Sequence, residues 1–320
     1  MFLAKFITII LGSILLFITL SIIKFKSRRI KAEGHIKVKD MTAYYERLKL
    51  QMLQESSSKK EVKLFLRKLK EKNNLINDKQ RIFLLRFNGD VKANAVELLK
   101  EEINAVLAVV NTDDKVVISL ESPGGVVSGY GLAASELTRF KASNIHLTAL
   151  VDRVAASGGY MMASVADKII AAPFAIIGSI GVLAQIPNFH QLLSKKGIEM
   201  EQLISGKHKR TLTMFGKNDN EGRKKMQQEL DEIHVKFQYL IKENRPNIDL
   251  EKIATGECWL GNKAIEMGLI DELMTSETYL NSLHNKGKRI FLVEYKQELP
   301  LFEKISQSFI SLKNTFHPLA

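Results

Sequence analysis

From Arg81 onward the chain alternates short β-branched runs with helical ones, and that rhythm leaves few folds open. Ile82 to Phe87 is a short, mostly apolar run and reads as a strand. Ala95 to Val110 has helical periodicity, and Lys115 to Leu120 is a β-branched strand. Gly124 and Gly125 follow, then a helix to about Arg139, a strand at Ile145 to Val151 and a helix at Ala155 to Ala166. Such alternation predicts an α/β domain built on a mostly parallel sheet. Parallel strands with crossover helices place functional loops at the carboxyl ends of the strands. Both Gly-Gly pairs, Gly124-Gly125 and Gly158-Gly159, fall just after such strands. Farther on, Asn220 to Asn244 reads as one long amphipathic helix. Its stripe of Leu230, Ile233, Phe237, Leu240 and Ile241 suits core packing or a subunit contact.

Two apolar runs need separate decisions. Phe6 to Ile23 carries no charge, and at about 1.5 Å rise per residue a helix of that length nearly crosses a hydrocarbon core of about 30 Å. No small-residue cleavage site follows; the run leads straight into Lys24, Lys26, Arg28, Arg29 and Lys31, as an uncleaved anchor does. With only Lys5 on the other side, the positive-inside rule puts the following domain in the cytoplasm. Ile169 to Pro187 is also uncharged, but Pro173, Gly178, Gly181 and Pro187 interrupt it. It reads as short buried strands separated by turns. The expected organisation is a flank at 1–5, a transmembrane anchor at 6–23, a basic helical linker at 24–80, a catalytic domain at 81–275 and an extension at 276–320.

Composition narrows the partners. The 320 residues carry a net charge of +12, yet lysine is spread along the chain and no nucleic-acid motif appears, so no nucleic-acid partner is expected. Cys258 is the only cysteine, which rules out an intrachain disulfide. No cofactor and no metal are expected.

The chemistry rests on Ser157, which stands between two alanines and two glycines. A serine hydroxyl is a poor nucleophile until a base takes its proton, and the attacked carbonyl needs donors for its oxyanion. A helix start supplies unpaired N–H groups, and the turn after Leu120 supplies glycine N–H groups. Read alone, the stretch favours a plain Gly-rich turn opening a packed helix over a nucleophile. It is not a G-x-S-x-G elbow, because Ala155 stands at the first glycine position. None of the seven histidines stands in a triad context. A lysine made neutral by burial can serve as base. Lys207 and Lys209 would share a face on a strand, so spacing does not choose between them.

Five stretches together resemble a known family: 121–137 (ESPGGVVSGYGLAASEL), 151–169 (VDRVAASGGYMMASVADKI), 172–182 (APFAIIGSIGV), 205–213 (SGKHKRTLT) and 256–273 (GECWLGNKAIEMGLIDEL). In this order they resemble the S49 family of membrane-bound serine peptidases, the signal peptide peptidase A group, and within it the SohB branch. The resemblance implies Ser157 as nucleophile, Lys209 as general base of a Ser–Lys dyad and Ser179 as the residue that orients the lysine. It implies an oxyanion hole from Gly125, with Gly124 beside it, and Gly158. It further implies a crotonase/ClpP-like fold of repeated ββα units and a homo-oligomeric ring or dome in which the dyad can be shared between subunits. The substrates would be peptides or unstructured segments, remnant signal peptides among them, cleaved at the bacterial inner membrane. Two other readings compete: a crotonase-type acyl-CoA enzyme, which would not need Ser157, and a non-catalytic membrane scaffold.

Overall fold

The computed structural model describes residues 34–74, 80–206 and 209–297. The proposed anchor at 6–23 lies outside the described residues. Among the described residues no helix is long and apolar enough to cross a membrane. The chain divides into two compact units, Met1–Ile36 with Tyr295–Ala320, and Lys37–Glu294. In the first, the Gly34 N–H donates to the Tyr295 hydroxyl at 3.0 Å. The second holds every candidate site residue.

The described elements run β1 (Gly34–Asp40), α1 (Met41–Ser56), α2 (Lys59–Asn74), β2 (Arg81–Asn88), α3 (Val96–Leu107), β3 (Lys115–Glu121), α4 (Val127–Ala142), β4 (His146–Val151), β5 (Val154–Ala156), α5 (Gly158–Ser164), β6 (Lys168–Ala171) and β7 (Ile176–Gly178). There follow α6 (His190–Lys195), α7 (Asn220–Asn244), α8 (Leu250–Ile253), β8 (Cys258–Leu260), α9 (Gly261–Glu266), β9 (Glu272–Leu273), α10 (Ser276–Asn285) and β10 (Arg289–Gln297). Seven strands form one sheet in the order β1-β10-β2-β3-β4-β6-β9, and the pairings from β10 to β9 are parallel. Strands β5, β7 and β8 form a second sheet. The chain therefore twice lays one strand in each sheet, β4 then β5 and β6 then β7, before leaving the sheets.

Local patterning explains the elements. In β2, Ile82, Phe83, Leu84, Leu85 and Phe87 are all buried, as a parallel strand covered on both faces requires. Helix α3 buries Val96, Leu99, Ile103 and Val106 at three- and four-residue spacing. Leu84, Val117, Leu150, Ile170 and Ile290 form one layer across the sheet, and each contributes roughly 1.5–3 kcal/mol by leaving water. Helix α7 has the bounds its pattern predicts, with Phe237 and Ile241 buried.

Two expectations are corrected. The predicted helix at 155–166 starts later, because Val154–Ala156 is a strand. Ala155 and Ala156 pair with Ile177 and Gly178, and Ser122 bridges Ala155. Partners distant in sequence outweigh the helix preference of alanine. The run 169–187 is buried strand only in its first half; past Ile180 it has neither helix nor strand before His190, and Leu183 is 81% exposed.

One ion pair fixes the entry to the sheet. Asp114 is 5% exposed and accepts from the Arg81 backbone N–H at 2.8 Å, Arg81 Nη2 at 2.6 Å and the Asn111 N–H at 2.9 Å. Burial pushes its carboxyl pKa up, but the Arg81 guanidinium and these N–H groups outweigh burial and hold it below the usual value. A carboxyl lowered on folding stabilises fully above its unfolded pKa of about 3.9 and loses that contribution as pH falls through the folded one. Asp114→Asn should cost about 2–3 kcal/mol in urea unfolding at pH 7. The gap from the parent should shrink below about pH 4; a gap unchanged at low pH would remove the charge from the explanation.

Candidate active site

Two turns at the carboxyl ends of β3 and β5 meet here. After Glu121 the chain turns through Ser122, Pro123, Gly124 and Gly125 into α4. After Ala156 it turns at Ser157 into α5. Backbone bonds join the two: the Ser122 N–H donates to the Val154 carbonyl at 2.9 Å, and the Ala156 N–H donates to the Ser122 carbonyl at 3.0 Å. A third segment, the end of β7, arrives because the Ser157 N–H donates to the Gly178 carbonyl at 2.8 Å. Ser179 follows, its N–H donating to the Glu257 carbonyl at 2.6 Å.

Ser157 is the N-cap of α5, a position where serine ordinarily adopts extended backbone and caps the helix with its hydroxyl. Here its φ is +50° and its ψ is −119°, and the hydroxyl caps nothing. A non-glycine residue in this region costs of order 1–3 kcal/mol. The half-buried hydroxyl is thereby withheld from the role its position would give it. Ser179 also has positive φ, +51°. Helix α5 leaves the Gly158 N–H without a protein acceptor among the described residues.

The glycine turn is seated against the serine. Gly124 has φ +88°, and a Cβ there would lie 2.7 Å from Ser157 Cβ, Gly158 N and the Ala156 carbonyl oxygen. Any side chain would be both strained and obstructed. The Gly124 N–H is already used, donating to Ser122 Oγ at 3.1 Å. Ser122 Oγ lies 2.5 Å from the Tyr130 hydroxyl, which donates to the Asp90 carbonyl at 2.8 Å. Burial raises the Tyr130 phenol pKa; the Ser122 hydrogen bond lowers it and the Asp90 charge raises it, for a net upward shift that keeps the proton in place at neutral pH. In the turn, the Gly125 N–H has no protein acceptor among the described residues.

The structure thus brings Ser157, Gly158, Gly124, Gly125 and Ser179 together. Lys209 is not joined to them. It is exposed, its N–H donates to the Gly206 carbonyl at 3.1 Å, and its Nζ makes no hydrogen bond among the described residues. Residues 209–219 have neither helix nor strand, and Lys207 lies outside the described residues. Among the described residues no group of three or more His, Cys, Asp or Glu could hold a metal ion. Ser122 and Tyr130 escaped the sequence reading. Tyr130 sits at a helical position whose spacing says only core, and nothing local links it to Ser122.

The family model for Peptidase family S49 matches residues 139–289, and that for Peptidase family S49 N-terminal matches 1–137. A protein described as Probable protease SohB, from Buchnera aphidicola subsp. Schizaphis graminum, is 42% identical over 305 residues, 92% of this chain and 88% of that one. The chain belongs to peptidase family S49. A Probable protease SohB from Haemophilus influenzae is 47% identical over 241 residues, 75% of this chain and 68% of that one. A solved structure of the 1510-N membrane-bound stomatin-specific protease matches with a TM-score of 0.42 at 17% identity, over 64% of this chain and 80% of that one. As an S49 member close to proteases described as SohB, the chain is a peptidase, and the acyl-CoA and scaffold readings fall away.

Proposed function

We propose that this S49 peptidase is a membrane-anchored serine endopeptidase with a Ser157–Lys209 dyad on a crotonase/ClpP-like fold. The observation that carries the reading is the backbone of Ser157: positive φ at a helix start, with the hydroxyl uncapped and the Gly124 turn seated against it. Strain of this kind is retained where a reacting group must be displayed.

In this reading Lys209, neutral, takes the Ser157 proton as Oγ attacks the peptide carbonyl. The oxyanion accepts from the N–H groups of Gly125 and Gly158. Lys209 then gives its proton to the leaving amine, and the same lysine activates the water that hydrolyses the acyl-enzyme. Ser179 orients the lysine. The commitment of the Gly124 N–H to Ser122 makes Gly124 a spacer, not a donor. In one chain the exposed Lys209 bonds neither serine, which supports a base supplied on assembly, by a neighbouring copy. Burial there would favour the neutral amine that a base must be. Peptides or unstructured segments near the bilayer are the substrates, remnant signal peptides among them. Residues 6–23 are the anchor in the inner membrane, and the flanking charge puts the domain on the cytoplasmic side.

The chain without residues 1–30 should cleave a fluorogenic peptide and be labelled at Ser157 by a fluorophosphonate. Cleavage with no label on Ser157 would overturn the assignment. Gly124→Ala should lower kcat by roughly 100-fold or more by displacing Ser157 and the Gly158 donor. Steady-state kinetics on the folded variant checks this.

A further inference from the structure

We propose that Ser122 and Tyr130 are positioning residues of the peptidase reaction, setting the geometry of the Gly125 and Gly158 donors. The inference rests on the serine-peptidase reading above and names two residues that reading does not use.

The hydrogen bonds run in one direction. Tyr130 gives its proton to the Asp90 carbonyl, so its oxygen is the acceptor in the pair with Ser122. Ser122 then donates to Tyr130 and accepts from the Gly124 N–H. The result is a buried chain, Gly124 N–H to Ser122 to Tyr130 to Asp90, in which every proton is assigned and each bond strengthens the next. Ser122 and Tyr130 are both fully buried.

Ser122 is the node between the two halves of the site. Its backbone bonds the nucleophile's strand through Val154 and Ala156, while its hydroxyl holds the glycine turn. Tyr130 braces the other donor. Its ring lies where a Gly158 side chain would go, 2.3 Å from an ideal Cβ there. One tyrosine therefore supports the peptide of Gly158 by contact and the peptide of Gly124 through Ser122. Because the Gly124 N–H is held by Ser122, Gly125 is the turn's remaining donor. Without the Ser122 hydroxyl, the Gly124 N–H would be released next to Ser157 and the turn would lose its anchor. Oxyanion stabilisation depends on donor placement, and a misplacement of about 1 Å costs on the order of 100-fold.

The test uses Tyr130→Phe, which keeps the ring against Gly158, and Ser122→Ala, which removes only the hydroxyl. Kinetics are normalised to Ser157 sites labelled in each preparation. We expect kcat to fall about 10-fold in Tyr130→Phe and about 10- to 100-fold in Ser122→Ala, with KM within about twofold. The double variant should be no slower than Ser122→Ala, since the two act as one unit. A peptide aldehyde, whose adduct places an oxygen in the oxyanion hole, should lose affinity by the same factor as kcat/KM. Binding of a product peptide should not change. An unfolding midpoint that falls while kcat per labelled site stays at the parent value would overturn the proposal, and either variant suffices to show it. The underlying reading fails differently: the parent chain would then cleave peptide without a labelled Ser157.

Discussion

Ser157→Ala should reduce peptide hydrolysis by at least about 1000-fold, since in the proposed mechanism its hydroxyl forms the acyl-enzyme. Ser179 follows Gly178, whose carbonyl accepts the Ser157 N–H, and in the proposed mechanism it orients the lysine. Stability distinguishes a displayed nucleophile from an ordinary cap. Replacing a capping serine by alanine costs typically about 1 kcal/mol. Ser157 does not cap, so Ser157→Ala should leave urea stability almost unchanged. Ser157→Gly should be equally inactive and more stable, by up to about 1 kcal/mol, because glycine accepts φ of +50° without strain. Retention of more than a tenth of the parent kcat/KM in Ser157→Ala would sink the nucleophile assignment, whatever the stability data.

The second large effect concerns the base. Lys209→Ala should lose activity to about the same degree, because paired residues that act as a unit fail together. Lys209→Arg should not rescue it, since a guanidinium stays charged and cannot accept the proton. In the single chain Lys209 is exposed and unbonded to Ser157, and the proposed assembly has a second copy supply it. Refolding inactive Ser157→Ala together with inactive Lys209→Ala should therefore restore activity. With equal amounts and random assembly, about a quarter of the sites would pair an intact serine with an intact lysine from a neighbour in a cyclic oligomer. Recovery near that level, read against each variant refolded alone, is the expected result. No recovery would show that serine and lysine come from the same chain.

The physical basis of each expectation differs in how far the chain's local order reveals it. The parallel sheet was legible because buried strands such as Ile82–Phe87 and Lys115–Leu120 declare themselves by apolar, β-branched runs of fixed length. Helix Asn220–Asn244 was legible for the same reason, its stripe repeating at helical spacing. The short strand Val154–Ala156 was not. Its alanines favour helix, and only pairing with Ile176–Gly178 and Ser122 makes them extended. That missed strand matters, because it carries Ser157 to the carboxyl-end turn of β3.

The sequence by itself determined the class of fold, the two glycine turns at strand ends and, through the five matched stretches, the family and the residues to test. These follow from periodicity, turn chemistry and residue order, which are properties of neighbours along the chain. The tertiary structure alone decided what those residues do to one another. It put Ser157 at positive φ with its hydroxyl uncapped, closed the Gly124 N–H onto Ser122, set Tyr130 beneath Gly158 and left Lys209 exposed. Those outcomes depend on contacts between segments far apart in the chain, and no local preference encodes a distance between them.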